Sequence, residues 1–160
     1  MIPTQVLAAG LGTRLRPLTF EIPKPMVPVL DRPVMGHIVD LLRRQGVERI
    51  IANLHYFPDT IRDHFGAGIE YVYEPELTGT AGGVRKCREF FGDQTFLVIS
   101  GDALTDIDIA RLLARHRESG GVATLAVKRV LNTREFGVVL HDADGRVDRK
   151  STRLNSSHRP

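Results

Sequence analysis

Leu7-Ala8-Ala9-Gly10-Leu11-Gly12-Thr13-Arg14-Leu15-Arg16-Pro17-Leu18-Thr19 sets small residues directly behind a short apolar run. Where a strand ends in such a turn, backbone N–H groups can approach an anion closely, and a side chain at Gly10 or Gly12 would fill the space of a phosphate oxygen. The segment is not the dinucleotide fingerprint, because Leu15 stands where a third Gly or Ala belongs, and no Gly-Lys-Ser/Thr makes it a P-loop. It adds guanidinium groups at Arg14 and Arg16, then Lys24 between Pro23 and Pro25. Cations of this kind neutralise a polyphosphate so that an anionic nucleophile can come near, and flanking prolines preset an extended backbone that presents Lys24. Taken alone, Gly-x-Gly reads better as a glycine turn with a solvated basic face; the whole string through Lys24 is what favours phosphate binding.

Two further segments carry candidate chemistry. In Glu74-Pro75-Glu76-Leu77-Thr78-Gly79-Thr80-Ala81-Gly82-Gly83 a loop of small residues, Gly79 through Gly83, can lay backbone donors and acceptors against a planar base edge; a helix start capped by Thr80 is the alternative. In Ser100-Gly101-Asp102 a lone carboxylate follows an apolar run, which suits Mg2+, an ion that takes one or two carboxylates and completes its shell with phosphate and water. A turn or cap role is the alternative for Asp102. His37, His55, His64, His116 and His141 lack metal-ligand spacing and Cys87 has no paired base, so they read as surface or packing residues.

The elements that must position these segments alternate between the two regular periods. Strands are expected at residues 5–8, 47–54, 69–73, 95–99, 122–130 and 136–140, and helices at 34–45, 59–65, from the glycine loop to about 91, and 107–118. Pro3 shortens the first strand and predicts fraying there, and residues 142–145 carry a hairpin-turn signal. Alternation with short connections predicts an α/β, Rossmann-like three-layer fold: a mostly parallel sheet flanked by helices, with ligand loops at the strands' carboxyl ends, after Ala8, Tyr73 and Ile99.

Composition agrees with one globular domain: 160 residues, 42% hydrophobic and 26% charged. Apolar runs fall far short of the roughly 18 residues of a spanning helix, and the single cysteine forbids an internal disulfide, so a cytoplasmic setting without membrane association is expected. A pI of 9.3 suggests nucleic acid. However, residues 149–160 hold four basic residues and no acidic one, so the net charge of +3 becomes −1 without them, and nucleic-acid binding is not expected. This stretch also loses periodicity, so residues 148–160 read as a foreign, disordered tail and residues 1–147 as a partial domain.

The first segment together with Pro23-Lys24-Pro25-Met26-Val27-Pro28-Val29 resembles the signature of sugar-1-phosphate nucleotidylyltransferases, most of all bacterial mannose-1-phosphate guanylyltransferases, and the similarity runs to about Val147. The resemblance implies in-line attack of a sugar 1-phosphate oxygen on the α-phosphorus of a nucleoside triphosphate, releasing pyrophosphate. It implies a nucleotide site at Leu7, Ala8, Ala9, Gly10, Gly12, Thr13, Arg14, Glu74, Gly79, Thr80 and Ala81. Arg14 and Lys24 would be catalytic, Lys24 and Gly137 would face the sugar phosphate, and Asp102 would bind Mg2+. Gly-Thr-Ala-Gly resembles the guanylyl branch, so GTP and mannose 1-phosphate are favoured over glucose 1-phosphate with dTTP or UTP; a non-catalytic regulatory module is the remaining alternative. The Glu-Lys-Pro element and second metal-binding Asp that the resemblance implies beyond the hairpin are not in this sequence, so triphosphate binding with little turnover is expected. Homo-oligomerisation of a full-length protein is compatible with it.

Overall fold

A computed structural model describes residues 2–131 and 138–147. The chain divides into two compact units, Met1–Ile109 and Ala110–Pro160. In the first, β1 (Thr4–Leu7), β4 (Ile50–Leu54), β5 (Glu70–Tyr73) and β6 (Leu97–Ser100) form a wholly parallel sheet in the order β5-β4-β1-β6. Between β1 and β4 run a two-residue antiparallel ribbon, β2 (Pro28–Val29) with β3 (Arg32–Pro33), and helix α1 (Val34–Arg44). Helix α2 (Pro58–Phe65) joins β4 to β5, and α3 (Gly79–Lys86) with α4 (Arg88–Phe91) joins β5 to β6.

The sequence explains these elements locally. Helix α1 buries Val34, Met35, Ile38, Val39 and Leu42, three or four residues apart, on one stripe. It stops at Gly46, where φ is +79°, and the N–H of Val47 bonds back to Leu42 O at 3.0 Å. All five residues of β4 are buried, as a parallel strand covered on both faces requires. On one face Ile51 packs with Cys87, Phe90 and Phe91, beside Val72 and Val84. Burial raises the Cys87 thiol pKa to about 11, with the nearby Glu74 charge adding to the shift. Val6, Ala52 and Leu54 are fully buried.

Several expectations are corrected. The first strand is not frayed: β1 lies between β4 and β6, paired along its whole length, and Thr4, Gln5 and Val6 are 0% exposed. Central placement supplies the hydrogen bonds and burial that its shortness does not. Residues 79–83 are helix, not loop, and the helix expected to run to Phe91 breaks at Cys87 into α3 and α4. The ribbon β2–β3 carries no periodicity long enough to be read from sequence; its turn holds Leu30 and Asp31 at φ +50° and +60°.

The second unit contains most of α5 (Ile109–Ser119), which begins on the last residue of the first unit. Residues 122–130 form no strand, because β-propensity becomes a strand only where a partner supplies the ladder, and none of the described residues does so; Val122, Leu125 and Val127 remain exposed. Residues 136 and 137 of the other expected strand lie outside the described residues, and residues 138–140 are not in a strand. The turn at 142–145 forms as expected, with Gly145 N–H bonded to Asp142 O and an antiparallel bridge between His141 and Val147. Among the described residues no helix is long and apolar enough to cross a membrane.

Candidate functional site

The sheet order fixes where a ligand can enter. From β1 the chain builds outward through β4 and β5, then returns to add β6 on the other side of β1. This reversal opens a crevice beyond the carboxyl ends of β1 and β6. There Leu7 stands in register between Asn53 of β4 and Ser100 of β6. A cavity of about 560 Å3 lies at this edge of the sheet, lined by residues of all three candidate segments.

The first loop is shaped by Gly12. At φ +65° it occupies the left-handed region, and a Cβ there would come within 3.0 Å of both Lys24 Cβ and Thr19 Cγ2. Its carbonyl accepts the Leu15 N–H at 2.9 Å and the Thr19 hydroxyl at 2.8 Å. Thr19 is fully buried and its own carbonyl accepts the Tyr56 hydroxyl at 2.9 Å. The space beside Gly10 is open, whereas Gly12 serves the turn and the close approach of Lys24. Pro23 is extended as expected, but Lys24 itself opens a single helical turn through Met26.

Lys24 Nζ meets Asp102 Oδ2 at 2.5 Å, with 28% and 32% of the two side chains exposed. Gly101 makes this possible. Its N–H bonds to Leu7 O at 3.0 Å, and a Cβ would lie 2.8 Å from Val6 Cγ1, so only glycine brings β6's end so close to β1. Arg14 lines the cavity and forms no ion pair among the described residues, leaving its guanidinium for a ligand. Arg16 does not line the cavity; its guanidinium lies 5.3 Å from the Phe20 ring centroid, so the two arginines do not act as one clamp.

At the opposite wall, Gly79 at φ +74° turns the chain into α3, and Gly79 and Thr80 border the cavity. Thr80 is not the cap. Thr78 precedes the helix, and its hydroxyl donates to Glu74 Oε2 at 3.2 Å rather than accepting from the helix. The first-turn N–H groups of α3 thus lack a side-chain cap and remain available as donors. Glu74 borders the cavity but is 1% exposed; its oxygens accept hydrogen bonds from Asn53 and Thr78, and Lys86 Nζ forms an ion pair with it at 3.7 Å.

The structure thus brings together Leu7, Ala8, Ala9, Gly10, Gly12, Thr13, Arg14, Lys24, Glu74, Gly79, Thr80 and Asp102. Ala81 is not on the cavity wall, because the helix turns it away, and Gly137 lies outside the described residues. Leu15, Pro25, Asn53, Leu77 and Ser100 also line the cavity without having been singled out from the sequence. Asn53 carried a readable signal: it is the one polar side chain in the strand Ile50–Leu54. Among the described residues no three His, Cys, Asp or Glu side chains form a metal cluster. A single half-exposed carboxylate fits a divalent ion whose remaining ligands are phosphate oxygens and water.

The sequence profile of the family described as Nucleotidyl transferase matches residues 4–150. A UTP–glucose-1-phosphate uridylyltransferase from Synechocystis sp. is 39% identical over 161 residues, covering 89% of this chain and 42% of that protein. A mannose-1-phosphate guanylyltransferase from Mycobacterium tuberculosis is 38% identical over 148 residues, covering 89% and 41%. The chain spans about two-fifths of the length of these curated relatives. Among solved structures, HddC from Yersinia pseudotuberculosis complexed with GMP-PN superposes with a TM-score of 0.75 at 27% identity, over 92% of this chain and 68% of that one.

Proposed function

The chain belongs to the nucleotidyl transferase family, and on that premise we propose that it binds a nucleoside triphosphate and a sugar 1-phosphate and supports transfer of the nucleotidyl group between them. The observation that carries this reading is the convergence of the first loop, Lys24, Asp102 and the first turn of α3 on one cavity. In this arrangement the backbone of Ala9 and Gly10 receives the triphosphate and Arg14 lies beside the transferring phosphoryl group. The uncapped N–H groups at Gly79 and Thr80 meet the acceptor edge of the base. Lys24 bridges the phosphates of donor and acceptor. Asp102 would hold Mg2+, with phosphate and water completing its shell, and the ion would supply charge neutralisation.

We favour GTP and mannose 1-phosphate as substrates. The Gly79-Thr-Ala-Gly82 form and the similarity to the M. tuberculosis guanylyltransferase support this, and guanine presents O6 and N7 acceptors to paired donors. The similarity to the Synechocystis uridylyltransferase favours UTP and glucose 1-phosphate as the second reading. Thermal unfolding with GTP, UTP and dTTP, each with Mg2+, separates them: a ligand at 100 times its Kd adds about 2.7 kcal/mol. A shift with GTP alone is expected, a larger shift with UTP selects the second reading, and no shift with any of the three overturns triphosphate binding.

A further inference from the structure

At the floor of the cavity the two walls are joined by two nearly buried lining side chains, Asn53 and Glu74. Asn53, 4% exposed, accepts the Ala8 N–H on its Oδ1 at 3.2 Å and donates from Nδ2 to Glu74 Oε1 at 2.6 Å. Glu74 in turn holds the Thr78 hydroxyl immediately before α3, and its backbone N–H is fixed to Leu54 O at 2.7 Å. Ala8 belongs to the first loop and Thr78 to the opposite wall, so one amide and one carboxylate span the site from beneath. The glycines of α3 make room for this link: a Cβ at Gly83 would lie 2.7 Å from Asn53 Nδ2 and 3.0 Å from Glu74 Oε1, and one at Gly82 would lie 2.1 Å from Thr78 Oγ1.

We propose that Asn53 and Glu74 are positioning residues that set the distance between the first loop and the first turn of α3, and hence determine whether a ligand can engage both walls at once. The proposal rests on the reading of this cavity as a nucleotide site. An amide is required at Asn53 because the link must accept at Ala8 and donate at Glu74, which a carboxylate facing another carboxylate cannot do. Only a ligand that reaches both walls depends on the spacing. Inorganic triphosphate touches the first loop alone, whereas a nucleoside triphosphate spans the gap.

The test compares equilibrium binding of GTP, UTP and inorganic triphosphate, each with Mg2+, to the chain and its variants. Asn53→Ala is expected to weaken the preferred nucleoside triphosphate by about tenfold or more while changing inorganic triphosphate by less than about threefold. Gly83→Ala, which removes no polar group, is expected to act in the same direction by about threefold and keeps the test valid if Asn53→Ala does not fold. Asn53→Asp alone sets two carboxylates face to face and is expected to lose nucleotide binding. Combined with Glu74→Gln it restores every donor and acceptor in the link and is expected to recover binding. Equal weakening of nucleotide and inorganic triphosphate, or folded variants that bind the nucleotide as the parent chain does, overturns the proposal while leaving the nucleotide reading in place. A parent chain that binds neither ligand overturns both.

Discussion

The polar side chains on the two walls of the cavity stand in opposite states. At the β1 and β6 wall the charged groups are partly in water: Arg14 has no acidic partner among the described residues, and Lys24 and Asp102 have only each other. At the β4 and β5 wall Asn53 and Glu74 are nearly sealed from solvent, with their polar atoms bonded to the chain. A half-exposed ion pair is worth little to stability and can be exchanged for ligand contacts, whereas a buried, satisfied carboxylate is costly to disturb. The charged side chains of the first wall are therefore free to exchange partners, whereas Asn53 and Glu74 hold the protein itself in place.

The sharpest way to break this contrast is at Arg14. Arg14→Ala is expected to weaken nucleoside triphosphate binding by about 10- to 100-fold, the range for a charge-assisted hydrogen bond, with an unchanged melting temperature. A large loss of thermal stability instead would place Arg14 among the structural groups. Gly101→Ala tests whether the exposed wall depends on close packing beneath it. The methyl group would press on Val6 and on the Leu7 carbonyl, so a loss of about 1–3 kcal/mol and a melting temperature lower by about 5 °C are expected.

A smaller effect distinguishes Lys24 from a structural partner of Asp102. Removing the lysine frees the carboxylate, so Lys24→Met is expected to tighten Mn2+ binding, followed by the paramagnetic signal of the free ion, by about two- to fivefold. Unchanged affinity would mean that the cation is held elsewhere. On the packed side of the sheet the effect is one of pH. Cys87 keeps its proton in the folded chain up to about pH 11, while an exposed thiol has a value of 9.0. Between these values the unfolded state loses the proton first, so the stability associated with this thiol is present below pH 9 and falls as pH rises through that window. Cys87→Ala should flatten this part of a denaturation profile against pH, and the native thiol should react slowly with a disulfide reagent at pH 8.

Much of the exposed wall was legible in the sequence because its chemistry depends on local spacing. Gly10, Gly12, Arg14, Lys24 and Asp102 lie in short segments at strand ends, and the alternation of periods is enough to place those ends on one edge of a parallel sheet. The buried wall was less legible because its contacts join residues distant in sequence. Asn53 is isolated in an apolar strand, and only the register of β4 against β1 shows that it stands beside Leu7. Gly82 and Gly83 read as room for a base, yet the space they leave is filled by Thr78, Asn53 and Glu74. The strand expected at 122–130 shows the limit of propensity, since alternation specifies a face but not a partner.

The central place of β1 also bears on how the chain assembles during synthesis. Its β6 neighbour is about 90 residues further along the chain, so one side of β1 waits unpaired until that strand has been made. Lys24 and Asp102 meet across the same seam. The pocket is consequently a late product of folding, and a nascent chain stopped before residue 97 would carry an open, sticky strand in place of a binding site.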